Sequence, residues 1–158
     1  MALTLNPETL ETWLRETDEN RLESLWREAD RVRHEHVGDA VHLRGLIEIS
    51  NHCCRMCGYC GLRADNRGLE RYRMSREEIL QCVRLARDLG YGTVVIQAGE
   101  DYGISRRWIA DLIRAIKLET GLAITLGLGE RPDEDLAVWK QAGADRYLLR
   151  FETSNPAL

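Results

Sequence analysis

Four of the chain's five cysteines stand together in the run Cys53-Cys54-Arg55-Met56-Cys57-Gly58-Tyr59-Cys60. Thiolates are soft ligands for zinc, copper(I) and iron–sulfur clusters, so the run reads first as a metal site. Three spacings compete. Cys54, Cys57 and Cys60 form CxxCxxC, the opening of a ferredoxin-type run. That run needs a further cysteine about four positions on, followed by proline, and Ala64 and Asp65 stand there instead. Structural zinc takes four protein ligands, usually as two separated pairs, and no second pair exists. His52 adjoins Cys53, which makes shared ligation awkward. Cys82 falls at helical spacing with Ile79, Val83 and Ala86, as a core residue does. Zinc stays as the alternative, separable by metal analysis: brown iron and sulfide against a colourless ion. The third spacing, Cys53, Cys57 and Cys60, is CxxxCxxC, with three thiolates and no fourth protein ligand. Three thiolates can hold three irons of a four-iron four-sulfur (4Fe–4S) cluster and leave one iron open, in the sense in which an open position marks a catalytic zinc.

Such a loop has to be carried by regular elements. Asn6 and Pro7 read as an N-cap with proline at the first helical position. A longer helix is predicted from about Arg21 to His36, with Gly38 as its stop. His34, His36 and His42 are read as surface residues. Four short apolar runs follow: Leu43 to Ser50, Thr93 to Ala98, Leu122 to Leu128, and Arg146 to Phe151. Helices separate the last three and precede the second. Ser75-Arg76-Glu77-Glu78 is a capping box opening a helix to about Leu89; Ser105 to Glu119 and Pro132 to Ala142 are two more. Strands alternating with helices imply βα units and a parallel sheet. The expected organisation is an N-terminal helical segment, residues 1–42, and an α/β domain, residues 43–158.

The strand faces differ in character. Leu122, Ile124, Leu126 and Leu128 oppose Ala123, Thr125, Gly127 and Gly129. Leu43, Ile47 and Ile49 oppose Arg44, Glu48 and Ser50, and Tyr147, Leu149 and Phe151 oppose Arg146, Arg150 and Glu152. A filled barrel centre uses bulky branched side chains, so a small and polar inner face suggests a ligand cavity. The alternative is a solvated face of an open sheet.

Composition narrows the setting. The formal net charge of −4 over 158 residues argues against general nucleic-acid binding, which takes a basic surface. The arginines around the cysteine run (Arg55, Arg63, Arg67, Arg71, Arg73) are therefore read as a solvated rim, or as an offset to the negative charge of a thiolate-bound cluster and a nearby carboxylate. No apolar run approaches the roughly 18 residues of a membrane span. The start of the chain lacks the basic and apolar segments of a signal peptide. The expected compartment is the cytoplasm, where clustered cysteines are metal ligands more often than disulfides.

With Tyr59 before its last cysteine, the pattern CxxxCx(aromatic)C after a first strand resembles the radical S-adenosylmethionine (SAM) superfamily. Within it the chain is similar to the HydE-type FeFe-hydrogenase maturase family, in the biotin synthase-like group beside methylornithine synthases. The resemblance rests on Arg44-Gly45-Leu46-Ile47-Glu48-Ile49-Ser50-Asn51, Cys60-Gly61-Leu62-Arg63 with Asn66, Arg71-Tyr72-Arg73-Met74, Leu126-Gly127-Leu128-Gly129-Glu130, and Ala144 to Arg150 with Glu152-Thr153-Ser154-Asn155-Pro156. It implies a TIM-like (β/α) barrel with a 4Fe–4S cluster on Cys53, Cys57 and Cys60. It also implies SAM chelated to the open iron and cleaved by one electron to methionine and a 5′-deoxyadenosyl radical. Gln97-Ala98-Gly99-Glu100 resembles the turn that receives the SAM amino group. Tyr59 is expected near the adenine, and Arg150 and Glu152 near the methionyl carboxylate and the ribose or amino groups. Arg44, Gln97 and Thr125 match substrate-cavity positions. Phe151 departs from the family, where a histidine is expected; its strand parity puts it outward.

The resemblance also implies a small, anionic substrate, a low-potential ferredoxin or flavodoxin as electron donor, and a HydE-like role in cofactor maturation. A methylornithine synthase-like reaction on the same platform is one alternative. A non-catalytic, truncated cluster-binding half-domain is another. Four βα units make about half a barrel, so a second polypeptide completing it, or a product with little turnover, is expected.

Overall fold

The computed structural model describes residues 6–151 and 153–155. The chain divides into two compact units, Met1–Val41 and His42–Leu158. The first unit holds α1 (Pro7–Leu14) and α2 (Glu19–Val37). Asn6 caps α1 through a reciprocal bond with Thr9, and Asp18 caps α2 by accepting from the Arg21 N–H. Neither helix buries a residue, and Trp26 is 61% exposed. On α2, Arg31 is paired with Glu28 and Glu35, so the helix is laced by ion pairs one turn apart.

The second unit runs β1 (Arg44–Ser50), α3 (Arg76–Asp88), β2 (Thr93–Ala98), α4 (Arg106–Thr120), β3 (Ala123–Gly127), α5 (Asp133–Ala142) and β4 (Arg146–Tyr147). The strands pair in parallel in the order β1-β2-β3-β4. The helices α3 and α4 start where the sequence supplies a cap. Ser75 and Glu78 close the capping box of α3, and Ser105 accepts from the Trp108 N–H at α4. The α5 start has Pro132 and three acids in its first turn instead of a side-chain cap, a favourable charge for that helix end.

One sheet face makes the core. Ile47, Ile49, Val94, Ile96, Ile124 and Leu126 are buried against α3, α4 and α5. Trp139 of α5 stacks on Tyr147 at 6.2 Å and donates its indole N–H to the Arg106 carbonyl. Cys82 packs at the edge of this core, as its spacing indicated. The other face carries Arg44, Leu46, Glu48 and Arg146, all exposed.

Two expectations about the strands are corrected. The fourth strand ends at Tyr147 rather than Phe151. Its neighbour β3 ends at Gly127, and after the Leu148 N–H reaches the Leu126 carbonyl the segment has no ladder to join. Phe151 is 83% exposed and belongs to no strand, so strand parity does not apply to it. Ser50 does not line the polar face with Arg44 and Glu48. The β1–β2 register shifts between Glu48 and Ser50, and Ser50 is buried with its hydroxyl donating to Asp101 at 2.7 Å.

Candidate functional site

The cysteine run leaves the end of β1 and occupies the start of the segment that leads to α3. That segment is tied at its base. Buried Asn51 donates from Nδ2 to the Glu70 carbonyl (2.8 Å) and accepts from the Tyr72 N–H (2.7 Å). The Met74 N–H returns to the Ile49 carbonyl at 2.8 Å. Cys53 and Cys60 are half-buried, Cys57 is exposed, and all five cysteines are free thiols. The Cys60 N–H donates to the Cys57 carbonyl at 3.0 Å, and the Arg55 N–H points at Cys53 Sγ at 3.4 Å. Among the described residues, no three His, Cys, Asp or Glu side chains converge as the ligands of one metal ion. The cysteine run supplies three free thiols in CxxxCxxC spacing. That donor set fits a polynuclear cluster, whose irons each take one thiolate, better than a single zinc.

Cys54 is set apart from the other three. Its Sγ faces Glu100 Oε1 at 3.7 Å, and its N–H donates to the Glu100 carbonyl at 3.0 Å. Although the residue is exposed, local loss of solvation and then the Glu100 carboxylate beside it push this thiol up from its ordinary range.

The turn after β2 lies directly against the cysteine loop. A Cβ at Gly99 would collide with the His52 carbonyl oxygen and stand 2.8 Å from Cys53 Cβ, so only glycine fits the approach. Glu100 is buried, and its carboxylate is surrounded. Arg55 reaches it at 2.8 Å, the Tyr102 hydroxyl donates at 2.9 Å, and the Glu130 N–H donates at 3.2 Å. Burial pushes this acid up, but the Arg55 guanidinium and these donors outweigh it and hold it below the ordinary carboxylate range. Gly129, in the left-handed region at φ 78°, makes the matching approach from β3: a Cβ there would sit 2.6 Å from Glu100 Cγ. Asp101 is more deeply buried and binds Arg73 through both oxygens, at 2.7 and 2.9 Å, as well as Ser50 and the Gly103 N–H. Burial raises it, but these partners prevail and hold its pKa at about 2. A cleft of about 350 Å³ opens beside this contact, with Cys53, Cys54, Arg71, Arg73, Glu100 and Asp101 among its walls.

On the polar sheet face, the residues expected to meet substrate are spread along the strands. Gln97 stands near the cysteine-loop end, level with Glu48 and Gly127. Its Nε2 lies 3.5 Å from Glu48 Oε1, and its Oε1 lies 3.5 Å from Arg150 Nη2. Thr125 is one row lower, level with Val95 and Arg146. Arg44 is level with Thr93, four residues below the Gln97 row or roughly 13 Å at strand rise. Gln97 and Arg150 are therefore brought together, and Arg44 is not grouped with them. Tyr59 is 75% exposed on the cysteine loop. Glu152 and Pro156 lie outside the described residues.

Several site residues had no assigned role in the sequence reading. Glu48 and Arg146 share the polar face, while Asn51, Arg71 and Asp101 brace the loop. Of the arginines around the cysteine run, Arg55, Arg67 and Arg73 are exposed as a rim, and Arg55 and Arg73 also offset nearby carboxylates. Arg55 bridges Glu100 and Glu130, Arg63 pairs with Asp65, Arg71 binds backbone carbonyls and Arg73 holds Asp101; Arg67 is exposed.

A sequence profile of the radical SAM superfamily matches residues 47–158. The chain is 50% identical over 151 residues to the [FeFe] hydrogenase maturase subunit HydE of Thermotoga maritima, covering 96% of this chain and 43% of that protein. It is 30% identical over 157 residues to 3-methylornithine synthase of Methanosarcina acetivorans, covering 98% and 44%. The chain thus spans less than half the length of these relatives. Among solved structures, methylornithine synthase superposes with a TM-score of 0.87 at 29% identity, covering 99% of this chain and 47% of that one. The [FeFe]-hydrogenase maturase HydG superposes with a TM-score of 0.86 at 24% identity, over 96% and 34%, a likeness of fold. No helix of the described residues is long and apolar enough to cross a membrane.

Proposed function

The chain belongs to the radical SAM superfamily, whose members use a 4Fe–4S cluster and SAM, and from that premise we propose that it carries the radical-generating half of a HydE-like enzyme. The carrying observation is the loop of three free thiols in CxxxCxxC spacing at the end of β1, beside a sheet face left polar. Cys53, Cys57 and Cys60 would hold three irons. A cluster held there would supply the single electron that reductive cleavage of SAM to methionine and a 5′-deoxyadenosyl radical requires.

The chain's own residues bind and orient. The backbone of the Gly99–Glu100 turn and the Glu100 carboxylate beneath the loop offer acceptors to the SAM ammonium. Arg150 would meet the methionyl carboxylate, Glu152 the ribose or amino groups, and Tyr59 the adenine. Gln97, Thr125 and Arg44 would line the path of a small anionic substrate, with Arg44 as its cation at the far end.

The finer reading is a step in FeFe-hydrogenase cofactor maturation in the cytoplasm, fed by a low-potential ferredoxin or flavodoxin. The second reading, a methylornithine synthase-like reaction, is favoured by the superposition on that enzyme. The exposed side of the sheet and the edge of β4 would be completed by further strands, from a continuation of the chain or from another polypeptide. The test is anaerobic reconstitution with iron and sulfide, followed by SAM and dithionite. Release of 5′-deoxyadenosine is expected; a reconstituted brown protein that releases none refutes the enzymatic reading, and zinc in place of iron refutes the cluster.

A further inference from the structure

Arg71 stands at the base of the cysteine loop. Its half-buried guanidinium donates to four backbone carbonyls: those of Asn51, Leu62 (2.9 Å), Arg63 (2.7 Å) and Asn66 (3.5 Å). Asn51 lies two residues before Cys53, and Leu62 two residues after Cys60. One planar cation therefore joins the entry and the exit of the segment that holds all three proposed ligands. The joint is braced from both sides. Asn51 is fixed to Glu70 and Tyr72, the residues flanking Arg71, and Asn66 Nδ2 holds the Gly61 carbonyl at 2.8 Å. The loop itself has no helix or ladder to fix it.

We infer that Arg71 is the clasp that sets the cysteine loop in its metal-binding geometry, a positioning residue that touches no ligand; this rests on the cluster reading above. A guanidinium is suited to the task because its five N–H groups lie in one rigid plane and reach several acceptors at once, whereas an ammonium is a point donor. Removing it frees several carbonyls and returns conformational freedom to a loop that must then be ordered when iron binds.

The experiment uses wild type, Arg71→Met and Arg71→Lys. Hydrogen–deuterium exchange of the metal-free chains is read over residues 52–66 and over α3 and α4. After anaerobic reconstitution, the rate of iron loss to a chelator and the electron paramagnetic resonance spectrum of the reduced protein are recorded. Arg71→Met is expected to exchange faster over 52–66 with the helices unchanged, to lose iron about tenfold faster, and to give a broadened spectrum. Arg71→Lys is expected to fall between the two. Should Arg71→Met also loosen the helices, Arg71→Lys carries the test, and a lysine variant indistinguishable from wild type overturns the clasp. Uptake of iron by wild type with Arg71→Met unchanged in exchange and iron loss overturns the clasp alone. No uptake by wild type overturns the cluster reading on which it rests.

Discussion

The two faces of the sheet share four strands and one backbone but differ in almost every side chain. Against α3, α4 and α5 stand Ile47, Ile49, Val94, Ile96, Ile124 and Leu126, all buried. On the reverse stand Arg44, Leu46, Glu48 and Arg146 in solvent, with Thr93, Val95, Gln97 and Thr125 half-buried. The first face supplies hydrophobic burial. The second contributes little burial and keeps polar groups where a stability-driven sequence would place branched apolar ones. On the function proposed above, stability and ligand chemistry fall on opposite sides of the same strands, and the cysteine loop leaves the end of β1.

The sharpest separation lies at that loop. Cys53→Ala, Cys57→Ala and Cys60→Ala are each expected to abolish retention of the cluster on reconstitution, while Cys54→Ala and Cys82→Ala keep it. Iron and sulfide analysis reads this directly, and loss of iron in Cys54→Ala with retention in Cys53→Ala would show that the spacing is CxxCxxC. On the core side, Trp139→Ala removes a fully buried ring, its stack on Tyr147 and its bond to Arg106. It should cost about 4 kcal/mol in urea unfolding. Leu46→Ser on the open face should cost less than about 0.5 kcal/mol; equal losses at the two positions would erase the contrast between faces.

At the junction, Asp101→Ala leaves buried Ser50 and the Gly103 N–H without their acceptor, while Arg73 can turn to solvent, and should cost about 1–2 kcal/mol. The same group sets a pH dependence. Its folded pKa, about 2, lies below its ordinary 3.8. The stabilisation is therefore fully present above the ordinary value and is lost as pH falls through that interval towards 2. Thermal melts between pH 5 and pH 2 should show wild type losing stability faster than Asp101→Ala; parallel slopes would remove Asp101 as the cause.

What could be read from the chain beforehand was what depends on near neighbours. The Ser75–Glu78 capping box, the Asn6–Pro7 start and the alternation in Leu122 to Leu128 are patterns within a few residues, and the fold carries them as expected. Strand length is not such a property. Arg146 to Phe151 alternates convincingly, yet its ladder with β3 stops at Tyr147, opposite Leu126. The braces around the cysteine loop were hidden for a related reason. Ser50 and Asp101 are 51 positions apart, Arg55 and Glu130 are 75 apart, and no periodicity links them. A run of arginines looks alike whether its members end in water or clasp the backbone, so nothing in the sequence sets half-buried Arg71 apart from its neighbours.

The contact between Gly99 and the His52 carbonyl also constrains how this site can change by descent. Cysteine loop and post-β2 turn are mating parts, distant in the gene and touching in space with no room for one carbon atom between them. A loop transplanted from a relative arrives with its own path and meets a turn shaped for another. Exchange of either part alone, by recombination or by design, should yield misfitted chimaeras, whereas exchange of residues 50–66 together with 97–103 moves the pair as one heritable module.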